Sequence, residues 1–236
     1  MTVALEPRTA RDRRLPVVAM TLALTIAAWT ALGLAGHQTP HASFLAAFAM
    51  WNVMMVAMML PSALPWLAIL STGKPGSARL DVALFAIGYF AVWALYCLAA
   101  AAAQIALQER VWLSSTLALT AWPGALALIG AGLFQFSPLK AACLRHCRSP
   151  LGYLLTHWQE RPGWTLRVGA THSVYCVGCC WALMAVVFAV GVMNLGWMAV
   201  VTLLLCLEQW LPDGAKMSYA TGAGLVGWGL ARLTIG

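Results

Sequence analysis

Seven apolar runs, most of about 20 residues or more, leave this chain few folds to choose from, because a helix of that length crosses a bilayer. They cover residues 15–35, 44–70, 80–107, 117–136, 168–192, 197–211 and 217–235. Only 9% of the 236 residues are charged and 62% are hydrophobic, whereas a soluble domain is about a quarter charged. The expected fold class is all-α: a polytopic transmembrane helix bundle of about seven spans, forming one domain over residues 1–236. Residues 1–14 read as a cytoplasmic basic leader and 137–167 as a cytoplasmic or interfacial segment that contains cysteines.

The basic residues give this bundle a direction. With the amino terminus inside and seven spans, Arg8, Arg11, Arg13, Arg14, Lys74, Arg79, Lys140, Arg145, Arg148, Arg161, Arg167 and Lys216 all fall on the cytoplasmic side, and only Arg110 and Arg232 fall outside. Such asymmetry is the positive-inside pattern. It also accounts for the formal charge of +7 without a nucleic-acid partner, since the cations are scattered through short loops. The first apolar run is longer than the core of a secretory signal peptide, so an uncleaved first span is expected. The link 36–42, with His37 and His41, reads as an external turn. A disulfide framework is not expected, because most of the cysteines fall in spans or on the reducing side.

The densest chemistry lies in residues 171–184, THSVYCVGCCWALM. On a helix of 3.6 residues per turn, His172, Cys176, Cys179 and Cys180 share an arc of roughly 100°. One face of the fifth span therefore carries three thiols and an imidazole. A lone cysteine in such a helix is usually a small packing residue; three within five positions are harder to explain that way. Gly169 and Ser173 share the arc, and small residues there let another helix approach closely.

The second span, in MWNVMMVAMMLPSALP, sets Met50, Met54 and Met58 four apart, with Met55 and Met59 beside them. Thioethers pack well, and they are also soft ligands that suit Cu(I). Pro61 and Pro65 should kink the helix and free carbonyls that need partners inside the bundle. Asn52 is a candidate for a bond between helices. Cys143, His146 and Cys147 would share one side of a helical turn, an incomplete ligand set by spacing; a basic helix lying on anionic lipid reads equally well. In the seventh span Ala220, Ala223, Gly224, Gly227 and Ala231 signal packing.

At 1.5 Å per residue, Cys176–Cys180 lie roughly 12–18 Å from the cytoplasmic end of their span. Met54 and Met58 should reach a similar depth, provided the second and fifth spans are neighbours. Lys140, His172 and Glu208 gather near the cytoplasmic boundary, where Glu208 would pair with Lys140 or orient His172.

The runs MMVAMMLPSALP, QFSPLKAACLRHCRSPLGYLL, CVGCCWALM, GVMNLGWMA and CLEQWLP occur in this order between residues 44 and 212. In this the chain resembles a bacterial family of integral membrane proteins described as metal-binding, a domain of unknown function. The resemblance implies a place in the bacterial cytoplasmic membrane, and it implies that Cys143, Cys147, His172, Cys176, Cys179, Cys180 and Glu208 belong to the family's pattern. Ser173 stands where that pattern has Gly, and Gln209 where a Lys often follows the Glu.

Three functions compete. The first is a non-enzymatic membrane protein binding a soft metal, copper as Cu(I) or else zinc, for handling, delivery or transport. Its ligands come from Cys176, Cys179, Cys180, His172, Met54 and Met58, and a second site is built from Cys143, His146 and Cys147. Lipid and a soluble metal-delivery protein are the expected partners. The second is a thiol–disulfide enzyme using Cys176 and Cys179, and the third a structural subunit of a larger membrane complex. No phosphate-binding loop, hydrolase elbow or zinc-protease motif is present.

Overall fold

A computed structural model describes residues 6–35, 43–73, 77–110, 112–114, 117–159, 161 and 163–235. The 36–42 link with His37 and His41, Lys74 and the side chain of Arg8 fall outside them. The described residues form ten α-helices and no strand: α1 (Glu6–Ala35), α2 (Phe44–Met59), α3 (Leu64–Leu70), α4 (Ala78–Glu109), α5 (Ala121–Phe134), α6 (Pro138–Cys147), α7 (Pro150–His157), α8 (Trp164–Val190), α9 (Leu195–Trp210) and α10 (Gly214–Ile235). The all-helical expectation holds.

Three of these helices, α1, α4 and α8, are long and apolar enough to cross a membrane, and up to five spans result if two bent pairs each count as one. By length and composition the described helices thus supply three to five of the seven expected spans. The reason lies in how the second, fourth and sixth apolar runs are built, and in the seventh, α10, which is long but not apolar enough to be counted. The second breaks at Pro61 into α2, a 3₁₀ turn over Pro61–Ala63 and α3, bent by 43°. The fourth bends by 67° between α5 and α6, and α9 has only 16 residues. The apolar surface is plentiful all the same: Ile26 and Leu34 on α1 and Leu80, Ile87 and Leu95 on α4 are exposed.

Each break has its backbone groups satisfied. Pro61 cannot donate to Ala57, and the freed Ala57 carbonyl accepts from Trp29 Nε1 at 3.1 Å. The Met59 carbonyl accepts from Ser62 Oγ at 2.8 Å and from Tyr89 Oη at 3.2 Å. Ser137 caps α6 by accepting from the Lys140 amide at 3.1 Å, with Pro138 in the first turn. At the ends of α8, Gly163 at φ 76° and Gly191 at φ 105° hold backbone conformations that a side chain disfavours. Asn52 Nδ2 donates to Phe48 O on its own helix at 2.8 Å.

The centre of the fold is α8, which packs against α4, α5, α6 and α9. Its crossing with α4 is made of glycine on both sides. A Cβ on Gly88 would stand 2.1 Å from the Leu166 carbonyl oxygen, and one on Gly169 would stand 2.1 Å from that of Phe85. Ser173 Oγ donates to the Tyr89 carbonyl at 2.9 Å, so the small residues of the α8 arc do admit a helix. On α10 the close contacts fall on Gly222 and Gly229, packed against α5, while Gly224 and Gly227 face open space; the packing stripe is out of phase with the expected one. The α2 helix packs against α1, α4 and α9 and touches α8 through Trp51, whose ring lies 5.1 Å from that of Phe188. Trp51 Nε1 also donates to Gln104 Oε1 at 2.9 Å, which gives the polar residue of α4 its partner.

Candidate metal centre

Cys176, Cys179 and Cys180 are fully buried on α8. Cys179 Sγ lies 3.3 Å from Cys180 Sγ and donates to the Cys176 carbonyl at 3.2 Å. A fourth thiol arrives from another helix: Cys147, the last residue of α6, places its Sγ 3.8 Å from that of Cys179. Cys176 lies one turn before Cys179 and Cys180 on the same buried face of α8. Of the second expected set, Cys143, His146 and Cys147, it is Cys147 that meets the α8 thiols. One face of α6 packs on α8, with Lys140, Cys143, Leu144 and Cys147 buried, while Leu139 and Arg145 on its other side are exposed.

Cys143 sits over Gly178, where an added Cβ would come within 2.8 Å of its Sγ. His146 stacks on Tyr175 at 4.0 Å between ring centroids, and His172 leans on Trp66 at 4.4 Å. The two imidazoles are 6.1 Å apart and nearly parallel. Among the described residues both nitrogens of His172, and Nε2 of His146, are buried without a hydrogen-bond partner, a rare condition for a polar group. Glu208 pairs with Lys140 at 2.6 Å, both side chains almost wholly buried, and does not orient His172. Met54 and Met58 are fully buried in the core.

Two residues beside the thiols carry no sequence motif of their own. Tyr89 Oη is 3.5 Å from Cys176 Sγ, and Gln209 Nε2 donates to Cys180 Sγ at 3.4 Å and to Cys176 Sγ at 4.0 Å. The one available signal was at position 209, where Gln replaces the Lys of the resembled pattern. A neutral donor now faces the thiols there.

The donors suit a soft metal, but they are not spread as a closed ligand set. Among the described residues no group of three or more His, Cys, Asp or Glu side chains is spaced to hold a metal ion as it stands. Two sulfurs bound tetrahedrally to one metal at about 2.3 Å lie about 3.8 Å apart. Cys147 and Cys179 have that separation, whereas Cys179 and Cys180 at 3.3 Å must open by about half an ångström. All seven cysteines are free thiols, so none is spent in a disulfide.

By fold and site this is an all-helical protein whose core is lined with thiols, the donor type that Cu(I) and zinc prefer over carboxylate sites. The chain belongs to the PpoB2 family, described as a copper chaperone, whose model matches residues 48–232. No curated protein and no solved structure was found to match it.

Proposed function

We propose that this chain is a membrane-embedded copper chaperone that holds one Cu(I) ion at Cys147, Cys176, Cys179 and Cys180 and releases it to a partner. The observation that carries the reading is the convergence of thiols from two separate helices in the buried core; membership of a copper chaperone family supplies the metal. Thiolates favour the monovalent, soft state of copper. His172, one turn before Cys176 with both nitrogens unpartnered, is the proposed nitrogen donor on the approach, with His146 and Cys143 beside it. Met54 and Met58 serve as soft reserve ligands in the core. Zinc accepts the same thiols and is the competing cargo.

The long apolar helices and their exposed leucines and isoleucines support insertion as a multi-pass protein of the bacterial cytoplasmic membrane, in contact with lipid. The lysine and arginine asymmetry supports a cytoplasmic amino terminus. A soluble metal-delivery protein, or a subunit of a membrane complex, is the proposed partner. The test is anaerobic dialysis of detergent-solubilised protein against Cu(I) with a colorimetric Cu(I) chelator as competitor. One copper per chain, retained in the presence of excess Zn²⁺, is expected; displacement by Zn²⁺, or no retained copper, contradicts the reading.

Gln209 gives a finer prediction. Donors to ligating atoms commonly contribute about 10–100-fold in metal affinity. Gln209→Leu, which removes the donor to Cys180 and Cys176 at similar volume, should weaken Cu(I) binding in that range in the chelator competition while leaving the stoichiometry at one. An unchanged affinity would mean that Gln209 packs against the thiols without supporting them.

A further inference from the structure

We infer that the buried Lys140–Glu208 ion pair is the positioning device that sets Cys147 against the thiols of α8, so that a four-thiol cluster exists only while α6 is held to α9. Cys147 comes from a short helix that follows a 67° bend and packs along α8, with Cys143 over Gly178; among the described residues the one ion pair on that helix ties it to α9. Lys140, Cys143 and Cys147 stand at i, i+3 and i+7, within about 60° on one face of α6. At one end of that face Lys140 Nζ meets Glu208 Oε2 at 2.6 Å, with 1% and 2% of the two side chains exposed. In the middle Cys143 uses the space left by Gly178. At the other end Cys147 reaches Cys179.

Burying an ion pair is costly, and its best-attested use is to fix register between elements. This pair has that character. Among the described residues Oε1 of Glu208 has no hydrogen-bond partner, and the nearby Ser218 hydroxyl donates to Gln135 Oε1 at 3.0 Å, so Lys140 is the one charged group paired with the carboxylate. Glu208 also sits next to Gln209, which donates to two of the α8 thiols. The last turn of α9 therefore holds Cys147 in place through one residue and touches Cys176 and Cys180 through the next. Its own position is set closely: a Cβ on Gly214 would lie 2.0 Å from the Glu208 carbonyl oxygen. A second tie, from Arg148 Nη2 to the Leu211 carbonyl at 2.6 Å, anchors the exposed end of α6 to the same stretch of chain.

The inference rests on the copper reading only for its metal consequence, and its test has an arm that needs no metal. Lys140→Met/Glu208→Leu replaces the pair by apolar groups of similar size, an exchange that buried pairs often tolerate, and Lys140→Glu/Glu208→Lys reverses it. Apo-protein in detergent is treated with a diazene oxidant, which takes up the two thiol hydrogens as a disulfide forms. The linkage of Cys147 to the α8 peptide is timed by mass spectrometry. Bond formation depends steeply on how the sulfurs are held. The wild type should link Cys147 to Cys179, the apolar double variant should remain folded yet link at least about tenfold more slowly, and the reversed pair should regain the rate. In the metal arm the apolar variant should bind Cu(I) with three sulfurs instead of four. Equal rates in the wild type and a folded apolar variant, or no link between α6 and α8 in the wild type, overturn the inference. Loss of copper binding in every chain, wild type included, would overturn the copper reading and leave this inference to be decided by the cross-link.

Discussion

A chain carrying Cys176→Ser, Cys179→Ser and Cys180→Ser should retain less than about a tenth of the wild-type copper, because the exchange turns soft donors into hard ones that Cu(I) does not favour. The substitution removes three of the four clustered thiols and leaves Cys147 alone at the end of α6. Folding should survive it. Each new hydroxyl is buried, but a serine in a helix can donate to the carbonyl four residues earlier, so the cost per site is the modest one of a satisfied polar group. Helicity measured by circular dichroism beside metal content separates the two effects. Full helicity with full copper in the triple variant would place the metal elsewhere in the chain.

The second large effect is on the fold itself. Gly169→Ala places a methyl group 2.1 Å from the Phe85 carbonyl oxygen and 2.8 Å from its carbon, well inside contact distance. Helix propensity alone favours alanine over glycine by about 1 kcal/mol. Overpacking of a rigid contact costs about 1–3 kcal/mol, and backbone on both sides of this crossing leaves no flexible side chain to give way. The steric effect should therefore win, with a lower melting temperature in detergent than the wild type. Gly88→Ala should behave in the same way, since its Cβ would stand 2.1 Å from the Leu166 carbonyl oxygen. Gly224→Ala, which meets nothing within 4 Å, is the control in which propensity acts unopposed. A melting temperature for Gly169→Ala at or above that of the wild type would mean that α4 and α8 do not cross so closely.

What could be read from the sequence, and what could not, follows from the range of the interactions. The arc of His172, Cys176, Cys179 and Cys180 depends on one helix and its period, and all four residues are buried as a face. The prolines at 61 and 65 act locally, and the chain bends there. Charge pairing of Glu208 with Lys140 was within reach because few charges lie in apolar surroundings. The place of Cys147 was not, since it depends on the bend between α5 and α6 and on how α6 docks. Tyr89 meets Cys176 from α4, a contact between residues 87 apart that no periodicity announces. In α10 the residues Gly222 and Gly229 and the residues Gly224 and Gly227 make equally good small-residue patterns, and only packing against α5 chooses the first. The number of spans turns on the same kind of contact: by length and composition three to five are counted, and mean hydropathy does not register a 67° bend.

X-ray absorption at the copper edge, on protein loaded anaerobically with one Cu(I) per chain, would decide whether the thiol cluster is the metal site. A coordination shell of sulfur alone at about 2.3 Å, the usual metal–thiolate length, that loses one sulfur in Cys147→Ser is the predicted result. A shell dominated by nitrogen or oxygen, or one unchanged by Cys147→Ser, would contradict a copper site shared between α6 and α8.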